Sequence, residues 1–125
     1  MGMDYSNPDI VEITVMGSIV HSFYNGIEKL FEIIAKRIDS SVPFGLSSHK
    51  QLLGNMKSET ENRGAVISEA TYDILTEYLT FRHFFRHTYA YILKWSRFNT
   101  IAIDLEENWK KVKSDILEFT GTLNV

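Results

Sequence analysis

Along the N-terminal third of the chain, Ile10, Ile13, Gly17, Val20, Tyr24, Ile27, Phe31, Ile34 and Ile38 recur at intervals of three and four without a miss. That period lays them on one stripe of a helix and predicts helix from about Asp9 to Asp39. A flanking row of Met16, Ile19, Phe23, Leu30 and Ile33 widens the apolar face, so this helix is expected to touch several neighbours. Gly17 and Gly26 each cost about 1 kcal/mol against alanine unless a close backbone approach offsets it. Pro43 and Gly45 mark Ser40–Ser48 as a loop. Ser47 or Ser48 then caps a short helix, His49 to about Lys57, which presents Leu52, Leu53 and Met56. Lys57 to Gly64 is polar and charged, and is expected to be mobile. From Ala65 to Thr120 there is neither glycine nor proline, an uninterrupted length that favours helix. Within it a third helix is expected from about Val66 to Ile92, with Ile67, Ala70, Ile74, Tyr78, Phe81, Phe85 and Ile92 inward. Lys94 to Thr100 is the expected break, with Ser96 as candidate N-cap. The last helix carries Ile101, Leu105, Trp109, Val112, Ile116, Phe119 and Leu123 to an end near Gly121. No stretch alternates with period 2. The fold class is all-α, an up-and-down bundle of about four helices in one domain over residues 1–125.

Composition narrows the chemistry. The chain has 125 residues and no cysteine, which excludes disulfide scaffolds, cysteine-zinc sites, iron–sulfur clusters and thiol nucleophiles. No apolar run is long enough to span a bilayer and no signal sequence opens the chain, so a cytoplasmic protein is expected. Met1 to Ser6 fits the loose myristoylation pattern, but Met3 reads better as a start behind a two-residue cloning remnant. Residues 1–8 are accordingly expected outside the fold.

With 13 basic and 16 acidic residues the net charge is −3, so any contact with nucleic acid needs a local basic patch. One exists. Between Glu77 and Asp104 there is no acidic residue, while Arg82, His83, Arg86, His87, Lys94 and Arg97 fall in that span. Arg82 and Arg86 stand at i,i+4, as do His83 and His87, and like charges at that spacing repel. Two adjacent arginines without a nearby carboxylate suit a bound anion, and phosphate matches the guanidinium fork. The plain alternative is a solvated basic face, with Phe81, Phe84 and Phe85 as core. His83 and His87 lack the glutamate of an H-E-x-x-H metal helix, Phe84 standing in its place, so no metal and no cofactor are expected. His21 and His49 have no motif around them and read as helix-surface residues. Arg82 and Tyr89, seven residues apart, share a helix face. His87 lies about 140° around the helix from Arg82, so the two meet only at a kink or across a two-fold dimer.

Arg82, His87 and Tyr89 together resemble the R-x4-H-x-Y motif of HepT-like toxins in the HEPN superfamily. The segments His21-Ser22-Phe23-Tyr24-Asn25-Gly26-Ile27-Glu28 and Phe81-Arg82-His83-Phe84-Phe85-Arg86-His87 are also similar to that family, and the likeness runs from about Gly17 to Phe119. It implies a helical homodimer that acts as a metal-independent endoribonuclease toxin, with Arg82 and His87 catalytic at a composite cleft. It further implies that Tyr89 receives AMP from a nucleotidyltransferase antitoxin that silences the toxin. His83 and Arg86 would support the site or bind phosphate. The position after the arginine is often asparagine or aspartate in the superfamily and is His83 here. The chemistry fits: RNA supplies its own 2′-OH nucleophile, histidine transfers protons near neutral pH, and arginine stabilises charge on the phosphorane oxygens. The rival reading is a non-catalytic helical module that holds a nucleotide or a nucleotidyltransferase partner.

Overall fold

The computed structural model describes residues 5–86 and 93–123. Among them lie five α-helices and no strand: α1 Ile10–Ile34, α2 Ser48–Met56, α3 Glu69–Arg86, α4 Trp95–Ile103 and α5 Leu105–Thr122. α1 continues into a π-helical turn over Ala35–Asp39. The long first helix therefore spans the length that its periodicity predicts. Asp9 and Glu12 start it with a capping box, Asp9 Oδ1 accepting from the Glu12 N–H at 2.8 Å and Glu12 Oε1 from the Asp9 N–H at 3.0 Å. Ser40, in the left-handed region at φ 56°, ends it.

α1 is the central helix and packs against α2, α3 and α4, while α3 also packs against α2, α4 and α5. Gly17, Val20, Tyr24, Ile27 and Phe31 are all buried, so the predicted stripe is the core-facing one. Gly17 sits where helices meet closely: a Cβ there would lie 2.8 Å from Leu93 Cδ1 and 3.2 Å from Phe85 Cε1. No such contact exists at Gly26, which opens onto a shallow apolar groove beside Leu30, Leu105 and Trp109.

Three expectations need correction. The segment from Lys57 to Gly64 is tied down, not loose, because Arg63 is only 7% exposed and binds inward. Its Nε and Nη2 donate to the two carboxylate oxygens of Asp39, each at 2.8 Å, and its remaining bonds go to the carbonyls of Asn55, Ser58 and Gly64. The third helix starts at Glu69, not Val66. The Val66 and Ile67 N–H groups bond to the Met56 carbonyl instead, and the Ser68 hydroxyl accepts from the Thr71 N–H as a cap. Its inward face is Thr71, Leu75, Tyr78 and Phe81, and Ala70 is exposed. The last helical stretch is two helices rather than one, which makes five in place of about four. α4 begins inside the expected break, with Lys94 as its N-cap residue, and the chain relaxes for one residue at Asp104 before α5. Among the described residues, no helix is long and apolar enough to cross a membrane.

Candidate functional site

Arg82 stands in the last turns of α3, half-buried, while His83 and Arg86 beside it are exposed. His87 and Tyr89, the other two positions of the predicted motif, lie outside the described residues. The structure therefore places Arg82, His83 and Arg86 at one end of α3.

What holds Arg82 comes from α1. Its Nε donates to Asn25 Oδ1 at 2.9 Å. The Asn25 amide nitrogen is in turn 3.1 Å from His21 Nε2. His21 and Asn25 are one turn apart on α1, and the His21 ring packs on Phe85 of α3 with centroids 4.8 Å apart. The three polar side chains form a continuous chain across the α1–α3 contact. The seam itself is set by the buried stripe on one side and by Tyr78 and Phe81 on the other.

Charge at this end of the fold is positive, and His21 registers it. Burial, then Arg82, then Arg86 push the imidazole below its ordinary pKa of 6.5. A neutral imidazole adds no charge of its own, so the field at this end of the fold is set by the two guanidiniums.

A second polar tie lies between α1 and α2. His49 Nδ1 is 2.8 Å from Glu28 Oε1, and Glu28 is buried beside Ile27 of the core stripe. Tyr24, fully buried one turn earlier, feels both ends: burial and then Glu28 raise its phenol pKa, with Arg82 acting the other way. No group of three or more metal-ligating side chains occurs among the described residues.

Two of the residues that make this site, His21 and Asn25, are ones that sequence reasoning did not assign to it. His21, with no motif around it, reads as a helix-surface residue, yet its Nδ1 is buried. Asn25 lies in a segment similar to the HepT-like family but carries no assigned role there, and its partner is 57 residues away. The available signal was positional: both flank the buried stripe on the side that α3 covers. His49 is likewise a partner of buried Glu28 and not an isolated surface residue.

No curated protein and no solved structure shows a match to the chain. A family model described as HepT-like protein matches residues 15–123, nearly the whole fold, and the chain belongs to that HepT-like family.

Proposed function

We propose that this protein is the toxin of a prokaryotic toxin–antitoxin pair, a metal-independent endoribonuclease in which Arg82 and His87 are the catalytic residues. The observation that carries the reading is Arg82 itself. It is a half-buried arginine with no carboxylate partner among the described residues, held by the neutral amide of Asn25, with Arg86 nearby and burial and both arginines keeping His21 toward its neutral form. The Arg63 side chain, by contrast, is fully buried and sits on the Asp39 carboxylate. Family membership supports the same assignment.

The reaction balances without an added reagent. The 2′-oxygen attacks phosphorus, the bond from phosphorus to the 5′-oxygen breaks, and a 2′,3′-cyclic phosphate and a 5′-hydroxyl result. His87 moves the proton, removing it from the 2′-OH or delivering it to the leaving oxygen. Arg82 stabilises the charge that grows on the non-bridging oxygens, and Arg86 and His83 extend the phosphate-binding surface. A two-fold homodimer brings Arg82 and His87 of both protomers to one cleft. Tyr89, seven residues beyond Arg82 in the sequence, is the acceptor for AMP from a nucleotidyltransferase antitoxin, and the added phosphate competes with RNA for the guanidinium.

Induced expression tests the reading. Wild type should arrest growth, whereas Arg82→Ala and His87→Ala should not. If wild type and both variants are equally harmless, the non-catalytic module is the better account.

A further inference from the structure

We infer that Asn25 is a positioning residue for Arg82, and that His21 fixes the direction in which the Asn25 amide points. The inference rests on the ribonuclease reading of Arg82, but the chain of hydrogen bonds that carries it can be tested without catalysis.

The protons in this chain can be assigned from one fact. A guanidinium is a donor only. The group facing Arg82 Nε must therefore be the Asn25 oxygen, and the distance of 2.9 Å agrees. That leaves the Asn25 NH2 aimed at His21 Nε2, 3.1 Å away. An amide NH2 only donates, so Nε2 must be bare and the imidazole proton must sit on Nδ1. The imidazolium form is excluded for the same reason, since it would set N–H against N–H. His21 is thus a neutral Nδ1–H tautomer, in keeping with the direction in which burial and the two arginines push it. Its Nδ1 is buried without a hydrogen-bond partner among the described residues.

The arrangement serves Arg82. With Nε engaged on Asn25, the plane of the guanidinium is set, and the fork left for an oxyanion is the pair of terminal nitrogens. An aspartate at position 25 would hold the arginine more tightly but would oppose its charge. An asparagine pins the group and leaves the full positive charge to act on phosphate. His21 completes the device, because it accepts from the amide and so disfavours the flipped rotamer that would present NH2 to the arginine.

The experiment has two arms on the full-length protein. In the first, long-range proton–nitrogen correlation spectra at pH 7.5 report the His21 tautomer without RNA. The Nδ1–H form is expected in wild type and the Nε2–H or imidazolium form in Asn25→Asp, whose carboxylate accepts from the ring. An Nε2–H tautomer in wild type overturns the assignment. In the second arm, a short RNA is cleaved under saturating and subsaturating conditions. Asn25→Ala should lower kcat by about 10-fold to 100-fold while KM stays within about threefold, since the guanidinium is misplaced and not removed. Asn25→Asp keeps the shape and the hydrogen bond, and should lose at least as much activity with no loss of melting temperature. If Asn25→Ala does not fold, Asn25→Ser, which is too short to reach Arg82, takes its place. Wild-type kcat in the truncated variant overturns the positioning role, and wild-type kcat in Asn25→Asp overturns the need for a neutral partner. If wild type itself does not cut RNA, the ribonuclease reading fails and the tautomer arm alone decides the hydrogen-bond chain.

Discussion

Tyr78 uses its hydroxyl twice. It donates to the Ile101 carbonyl at 2.6 Å and accepts from Asn108 Nδ2 at 2.9 Å, joining α3 to α4 and α5 in a fully buried position. Burial pushes its pKa up to about 12, so the phenol stays neutral and able to donate across the working range. Tyr78→Phe keeps the ring but leaves a buried carbonyl and a buried amide without their partner. It should cost about 1–3 kcal/mol in a urea denaturation series. His21 gives a second prediction at this scale. Its folded pKa lies below 6.5, so the unfolded chain takes up the proton first as pH falls. The stability this histidine secures by staying neutral is complete above about pH 6.5 and is lost as pH drops through the folded value. The urea midpoint should therefore fall between pH 7.5 and pH 5.5, and His21→Gln should make that decline shallower. An unchanged slope in the variant would remove His21 from the explanation. Tyr78 was legible from helical spacing as an inward residue. Its hydroxyl partners were not, because they come from 23 and 30 residues away.

At the scale of elements, α1 was the most legible part of the chain and α3 the least. The stripe from Gly17 to Phe31 repeats an unbroken period, and only one face can be buried. In α3 the aromatics Tyr78, Phe81, Phe84 and Phe85 surround much of the helix, so more than one inward face fits the pattern. Packing resolved it in favour of Thr71, Leu75, Tyr78 and Phe81. The segment 57–64 shows a different limit. Its composition reads as solvated, yet one buried arginine converts it into a clamp between the end of the first helix and the end of α2. Arg63→Met should cost about 3–5 kcal/mol, because it leaves the Asp39 carboxylate, whose side chain is 13% exposed, without its cation. Hydrogen exchange should then quicken across residues 57–64. If stability and exchange there match wild type, the clamp is not what orders this segment.

For the whole molecule, the outer face of α1 asks for an explanation. Val15, Ile19, Leu30 and Ile33 are 40–52% exposed, and the groove beside Gly26 adds Trp109 to the same apolar region. A second copy of the chain would cover such a stripe, as the dimer proposal requires. Light scattering at micromolar concentration should give about twice the mass of the 14.4 kDa chain, and a monomer would count against the composite cleft. Control belongs to this scale too. Tyr89→Phe should keep the fold and most ribonuclease activity yet escape silencing when co-expressed with the nucleotidyltransferase partner, as read by intact-mass spectrometry. AMP found on another residue would sink that assignment. The motif of Arg82, His87 and Tyr89 named the family from sequence, whereas the support beneath Arg82 became visible only once α1 and α3 were packed together.

Arg82 is proposed as the charge-stabilising group of a metal-free ribonuclease, and one measurement meets that assignment head-on. Purified protein is incubated with RNA in excess EDTA and the product ends are identified. Wild type should leave 2′,3′-cyclic phosphate and 5′-hydroxyl ends. His87→Ala should be slower by about 10²-fold to 10⁴-fold, the usual worth of a proton-transfer group, and Arg82→Ala should fall with it. Cleavage that appears only when divalent metal is restored, or that survives Arg82→Ala at the wild-type rate, would contradict it.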